Sequence, residues 1–393
     1  MRVKDIKIRK VLASNADFTV EVEIETEKFK VFSSVPIGTS KGKYEAKILD
    51  LKKVFSNFLF VRRFFKEKEF SELVEIDDLL RSIDRTENFS KLGANLALAI
   101  SSAFLKAFSK EASKEIYQYV AEEFRTKAKI PKPICNVIGG GKHGGSIDFQ
   151  EFLLLPIHQE KFVESIKVIS KIYRKIGNRL KELDKTFRFG RNLESAWITS
   201  LSLFEVLDLL KEFCNENLKI GIDIAASSFW DGKSYFYKNL GKRLTSQQQL
   251  SFIREIAENY PVYYLEDPFH EDDFVSFSAL TSLLPNKLIC GDDLLVTNLK
   301  RLRDAAEMKA VNCAIIKPNQ VGTITDTINF FKFAKRKNIV TVFSHRSSQS
   351  DDILFSHLAV GLGCDYVKFG IAGERIIKIN EIIRIEESFK EIA

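Results

Sequence analysis

The sequence predicts an α/β protein in which a closed barrel of βα units follows a smaller N-terminal α+β domain. Three observations predict it. Short β-rich runs alternate with helical segments from Ile220 onward, each run ends in an ionisable residue, and the first third reads as a hairpin followed by amphipathic helices.

In the first third, apolar Phe18, Val20, Val22 and Ile24 alternate with Thr19, Glu21 and Glu23, the period of a strand with one wet face. Lys28 to Phe32 reads as its hairpin partner. Between about Tyr44 and Glu123, apolar positions such as Leu92, Leu96, Ile100, Phe104 and Phe108 recur at helical spacing. The stretch Ala128-Lys129-Ile130-Pro131-Lys132-Pro133 then interrupts the helical pattern, because proline cannot continue it. The domains are expected to be 1–127 and 128–393.

After that boundary come strand-like runs at Ile134 to Ile138 and Phe149 to Ile157, and a long helix from about Lys161 to Leu183. Six more strand-like runs follow: Ile220 to Ala225, Val262 to Leu265, Leu288 to Cys290, Ala314 to Ile316, Thr341 to Phe343 and Tyr366 to Val367. So many strands alternating with helices favour closure into a barrel over an open sheet.

Bulk composition narrows the function classes. The 393 residues are 45% hydrophobic and 29% charged, which excludes a disordered or fibrous chain. The net charge of +7 is spread without a basic block, which argues against a nucleic-acid binder. No run is long and apolar enough for a membrane span. Five widely spaced cysteines without metal-like spacing read as free thiols, and with no apolar leader they point to a reducing, cytoplasmic setting.

The chemistry concentrates at the ends of the strands. Asp223, Glu266 with Asp267, Asp292 with Asp293, Lys317, His345 with Arg346, and Lys368 stand at successive strand ends, separated by 43, 26, 25, 28 and 23 residues. In a barrel these converge on one mouth, where such folds carry their active sites. Singly, each residue reads as a helix cap or a solvated charge. Together, three acids followed by Lys, His-Arg and Lys form a costly cluster unless a ligand neutralises it. Carboxylate oxygens with open positions suit Mg²⁺.

The strings GIDIAASSFWDGKSY (221–235), PVYYLEDPFHEDDF (261–274), GDDLLVTNLKRL (291–302), IIKPNQVGT (315–323), SHRSSQSDD (344–352) and KINEIIRIEE (378–387) resemble the successive motifs of the enolase family. VPIGTSKGKYEA (35–46), TENFSKLGANLAL (86–98), NVIGGGKHGG (136–145) and QEF (150–152) are weaker matches. The resemblance implies an enolase-type (β/α)8 barrel with an N-terminal α+β capping domain, acting as a phosphopyruvate hydratase. It implies that Asp223, Glu266 and Asp292 ligate Mg²⁺, with Ser40 on a loop at a second Mg²⁺, and that Lys317 is the general base. It also implies that Lys368 holds the substrate carboxylate, that Arg346 and Ser347 grip its phosphate, and that His345, His143, Gln150 and Glu151 complete the pocket. The partners implied are a small phosphorylated carboxylate and further copies of the chain, as a homodimer or higher homo-oligomer.

The lid and acid side departs from the family pattern. The family's Gly-Asp-Glu-Gly-Gly loop is replaced by Gly190-Arg191-Asn192-Leu193-Glu194-Ser195-Ala196-Trp197, which leaves Glu194 or Glu151 as the acid. Ala13 to Asp17 lacks the Arg-Gly-Asn-Pro pattern, Gly139 replaces an Asn, the His143 to Gln150 spacing is one residue short, and Lys41 follows Ser40. Three outcomes stay open at this level: dehydration of 2-phosphoglycerate, α-proton abstraction from another carboxylate, or a non-catalytic paralogue. The positive charge around Lys317 is expected to depress its pKa and free it to act as a base.

Overall fold

A computed structural model of the chain describes residues 1–36, 38, 42–158 and 161–392. Strands β1 (Asp5–Leu12), β2 (Phe18–Glu25) and β3 (Lys30–Ser34) form an antiparallel meander. Val20, Val22 and Ile24 are buried as the alternation demands, whereas Phe18, at the strand's first position, is exposed. The face expected to be wet is largely covered: Thr19 is buried and donates to the Val35 carbonyl at 2.7 Å, and Glu21 is buried under Arg9, which pairs with it at 2.6 Å and with Glu23.

Helices α1 (Leu51–Val61), α2 (Leu73–Asp84), α3 (Ala94–Glu111) and α4 (Ile116–Glu123) complete the N-terminal part. The central α3 is buried nearly all round and packs on β2 and β3. Its Ala and Ser positions let neighbours approach closely, while Phe104 and Phe108 fill the remaining volume.

The barrel is built from β4 (Lys132–Gly139), β5 (Glu151–Pro156), β6 (Leu218–Asp223), β9 (Val262–Glu266), β10 (Leu288–Gly291), β11 (Cys313–Ile316), β12 (Val340–Ser344) and β13 (Tyr366–Lys368). β13 pairs with β4 and closes it. Helices α5 (Phe162–Leu183) and α6 (Leu203–Lys211) precede β6, and a small hairpin of β7 (Tyr235–Tyr237) and β8 (Lys242–Leu244) leads to α7 (Ser246–Asn259). Helices α8 (Phe274–Leu283), α9 (Leu299–Glu307), α10 (Ile324–Arg336), α11 (Leu354–Leu362) and α12 (Ile376–Ile392) follow the later strands. Inside, Ile134, Leu153, Tyr264, Cys290, Ile315 and Val342 pack as a core separate from the larger apolar layer between strands and helices.

One strand departs from a uniformly parallel barrel. β5 runs antiparallel to both β4 and β6. The connection 140–150 holds no crossover helix, and without one the chain can only turn back beside β4. The reversal puts the first residue of β5, Glu151, opposite Asp223, the last residue of β6.

The N-terminal part is fastened to the barrel at Asp352. Its buried carboxylate accepts from Lys106 Nζ at 2.7 Å, Ser33 Oγ at 2.7 Å and the Ser34 amide at 3.0 Å. Among the described residues, no helix is long and apolar enough to cross a membrane. The five cysteines carry free thiols, four of them buried.

Asp352→Ala is expected to cost about 3–5 kcal/mol, because it strands the Lys106 ammonium with no counter-charge. Denaturant unfolding measures this. Burial opposes the Asp352 charge, but Lys106 outweighs burial and holds the carboxyl below its usual range. Its stabilising contribution is therefore complete above about pH 4, the unfolded carboxyl value, and declines as pH falls through the lower folded value. The Asp352→Ala penalty should shrink with acidification over that interval.

Candidate active site at the barrel mouth

The residues of the mouth sort into four groups. The first surrounds Lys317, just after β11. Its amide donates to Thr297 Oγ1 at 2.9 Å, and Thr297 donates to Gln320 Oε1 at 2.7 Å. Gln320 Nε2 donates to Asp292 Oδ1 at 2.8 Å, and Lys317 Nζ pairs with Asp292 Oδ2. Asp267 accepts from the amides of Asp292 at 3.0 Å and Asp293 at 2.6 Å, which orients the loop that presents Asp292.

The second group centres on Lys368 at the end of β13. Its ammonium lies 3.0 Å from Glu151 Oε2, 3.0 Å from Asp223 Oδ2 and 2.8 Å from Glu266 Oε2. Gln150 donates to Asp223 at 3.2 Å, and the Tyr264 hydroxyl donates to Glu266 at 2.7 Å. Asp223, Glu266 and Asp292, read from the sequence as one ligand trio, are thus divided between two lysines. Among the described residues, the sets of three potential ligands with donor atoms within 4.8 Å of one another are Asp267, Asp292, Asp293 and His143, Glu151, Glu194.

Protonation follows from this crowding. Burial opposes the charge of both lysines, yet Asp292 beside Lys317, and Asp223, Glu151 and Glu266 around Lys368, hold both ammonium groups above the usual lysine value. The depression expected of Lys317 belongs to the state with two metal ions beside Lys368; with the side chains alone, Asp292 outweighs Arg346 and Lys368 at its Nζ. Burial and neighbouring Asp223 raise Glu266 to about 7, and burial with Asp292 raises Asp293 to about 8. Glu266 Oε1 is buried without a hydrogen-bond partner.

The third group is the altered acid side. Glu194 is buried at the mouth, its Oε1 3.9 Å from His143 Nδ1 and 3.9 Å from Arg375 Nη2, and His143 Nδ1 lies 3.6 Å from Glu151. Burial and the Glu194 charge hold Glu151 well above the carboxylate range. Burial works against the Glu194 charge too, but His143 and Arg375 outweigh it and keep this carboxyl well below that range. Burial works against the His143 charge and lowers its pKa, while Glu194 and Asp223 favour that charge. The two carboxyls are thus pushed in opposite directions, Glu151 toward its neutral form and Glu194 toward its charged one.

The glycine-poor loop keeps its shape by a different device. Asn192 Oδ1 accepts from the amides of Glu194 at 2.9 Å and Ala196 at 3.1 Å, closing a turn in which Ser195 takes φ 59°. The Asn192 side chain occupies the space beside Gly139, where a Cβ would stand 2.0 Å from Nδ2. The two departures from the family pattern compensate each other: the side chain missing at 139 makes room for the one at 192.

At the remaining edge, Arg346 is buried and donates to Glu45 Oε1 at 2.8 Å, which also accepts from the Gly42 amide at 2.9 Å. A Cβ at Gly38 would stand 1.9 Å from Arg346 Nη2, so only glycine fits there. His345 stacks on Phe369 with centroids 5.5 Å apart, and Ser347 is buried beside it. Ser40 lies outside the described residues.

Sequence reasoning passed over Glu45, Asn192, Gln320 and Arg375. Glu45 and Gln320 stand inside the strings KGKYEA and KPNQ quoted above, and Arg375 stands three residues before KINEIIRIEE. Proximity to a motif was the available pointer, but partners lying tens to hundreds of residues away could not be read from one chain.

Two family models match the chain: "Enolase, N-terminal domain" over residues 3–120 and "Enolase, C-terminal TIM barrel domain" over residues 127–393. The chain is 36% identical to the enolase of Methanothermobacter thermautotrophicus, covering 98% of this chain and 96% of that one. It is 37% identical to the enolase of Picrophilus torridus over 98% of both chains, and 33% identical to that of Archaeoglobus fulgidus over 98% of both.

Gly139→Ala is expected to cost about 1–3 kcal/mol by overpacking against Asn192. Adding Asn192→Ala should recover part of that loss, since it removes the clashing amide. Thermal denaturation of the single and double variants measures both, and simple additivity would contradict the compensation.

Proposed function

From the premise that the chain belongs to the enolase family, we propose that it is a Mg²⁺-dependent phosphopyruvate hydratase, a carbon–oxygen lyase interconverting 2-phosphoglycerate and phosphoenolpyruvate in glycolysis and gluconeogenesis. The observation that carries the reading is the placement of a base and an acid across the mouth. Lys317 follows β11 and Glu151 opens β5, four strands apart in the eight-stranded barrel and hence on opposite sides. That placement suits an anti elimination, in which a proton leaves C2 on one face while the C3 hydroxyl is protonated on the other.

Each residue has a part in that step. Lys317 takes the C2 proton once Asp292 no longer holds its own. Glu151, pushed toward its neutral form, with Glu194 beside it, serves the departing hydroxyl, and His143 and Gln150 line that side. Lys368 binds the substrate carboxylate, Arg346 and Ser347 bind the phosphate, and His345 packs behind them. The donor set fits Mg²⁺: hard carboxylate oxygens, an unpartnered Glu266 Oε1, and more negative charge than the buried lysines neutralise. Asp223, Glu266 and Asp292, with Ser40 at a second ion, would hold the metal, which supplies the positive charge that stabilises the dianionic enolate. Free buried thiols support a cytoplasmic setting, and the family resemblance supports a homodimer or higher homo-oligomer.

With Mg²⁺ and 2-phosphoglycerate, ultraviolet absorbance of the enol product should rise, and Lys317→Ala should lower kcat about 10²- to 10⁴-fold. C2 deuterium exchange in the wild-type chain without elimination would assign a different carboxylate substrate. No exchange and no metal binding would remove the enzymatic reading.

Metal binding should also release protons. Glu266 at about 7 and Asp293 at about 8 are partly protonated near neutrality; Glu266 ligates only when ionised, and a cation held beside Asp293 favours its ionised form too. Their folded values lie above the unfolded ones, so in the metal-free chain their stabilising contribution is complete below about pH 4 and is lost progressively as pH rises to the folded values of about 7 and about 8. Mg²⁺ should therefore raise Tm more at about pH 8 than at about pH 6. Calorimetry in two buffers of different ionisation enthalpy checks the proton release.

A further inference from the structure

Resting on the lyase reading above, we propose that Arg375 is a positioning residue that holds the acid loop and the phosphate-side loop at a fixed separation across the mouth. Arg375 sits in the short turn before α12, its side chain wholly buried. Nη1 donates to the Arg346 carbonyl at 2.8 Å and to His345 Nε2 at 3.2 Å. Nη2 donates to the Leu193 carbonyl at 2.8 Å and the Ser347 carbonyl at 2.5 Å, and lies 3.9 Å from Glu194 Oε1. One planar fork thus joins the backbone just before Glu194 to the backbone of the residues assigned to the phosphate.

Two further contacts act in the same direction. Gly373, at φ 63°, abuts the acid loop so closely that a Cβ would stand 2.1 Å from Ser195 Oγ. Lys378, buried on α12, donates to Gln349 Oε1 at 2.6 Å, and Gln349 Nε2 donates to the Arg346 carbonyl. The start of α12 therefore reaches the same carbonyl by two routes.

A merely structural arginine of this burial would be expected to face a dedicated carboxylate. Here the adjacent Glu374 carboxylate stays 3.7 Å from Nε, beyond hydrogen-bond reach, and the carboxylate beside Nη2 is the site's own Glu194. Lysine cannot reproduce the arrangement, since a point ammonium cannot bridge four acceptors held in a plane by two nitrogens. Lys317, whose partners Asp292 and Thr297 both lie in the segment that follows β10, shares no hydrogen bond with Arg375. Loss of the fork should therefore separate the two half-reactions: proton exchange at C2 survives while elimination does not.

The test uses the full chain with Mg²⁺ and 2-phosphoglycerate, and compares wild type with Arg375→Lys, Gly373→Ala, Glu194→Gln and Arg375→Lys combined with Glu194→Gln. Elimination is followed by absorbance, C2 exchange by NMR in deuterium oxide, and folding by circular dichroism. In Arg375→Lys, kcat for elimination should fall about 10²-fold, the scale of one displaced acid–base group, and KM should rise, while exchange stays within about threefold of wild type. The combined variant should be little worse than Glu194→Gln alone, because both remove the same placement.

Gly373→Ala retains the guanidinium but pushes the loops apart, so it should show the same split even if Arg375→Lys fails to fold. The inference is overturned if a folded variant keeps wild-type kcat and KM, if exchange and elimination fall by one factor, or if the two single effects multiply. Absence of wild-type turnover would instead overturn the lyase reading.

Discussion

The structure depends on keeping several buried carboxylates together at one end of a barrel. Each would be driven to neutrality if left alone, because an unpaired charge in a low-dielectric interior costs several kcal/mol. Lys368 meets this cost by reaching from β13 to three carboxylates on β5, β6 and β9, and Lys317 meets it at Asp292. Compensation is incomplete, as the raised Glu266 and Asp293 show. That residual negative charge is what makes the mouth a place for a cation rather than a neutral polar core.

Topology converts this electrostatic demand into a usable arrangement. In a uniformly parallel barrel only the final residues of strands reach the mouth. Reversal of β5 brings a strand's first residues, Gln150 and Glu151, to the same rim, directly across from the end of β11. Glu151 and Lys317 then face one another without either lying on a long excursion. The rigid ladder holds both, and the less regular acid loop has only to supply Glu194.

That loop illustrates how a local pattern can change while its task is kept. A glycine-rich loop reaches tight backbone conformations at little steric cost. Here an asparagine side chain ties the turn from within, accepting two amide hydrogen bonds, and a glycine on the facing strand gives it room. Arg375 then fixes the turn from below through the Leu193 carbonyl. Three separate segments of sequence thus replace one motif.

Alternation and strand-end charges were legible because each rests on local chemistry. Apolar periodicity set the elements, the run of βα units implied closure, and charged residues at strand ends had to share a mouth. The family resemblance added expected roles for Asp223, Glu266, Asp292, Lys317 and Lys368. Tertiary structure alone decided that Lys368 bridges Glu151, Asp223 and Glu266, that Lys317 rests protonated on Asp292, and that β5 runs backward. It alone also paired Gly139 with Asn192 and Arg375 with both loops. Those facts turn on distances between residues up to some 200 positions apart, such as Leu193 and Arg375, and no local pattern encodes a distance that only barrel closure creates.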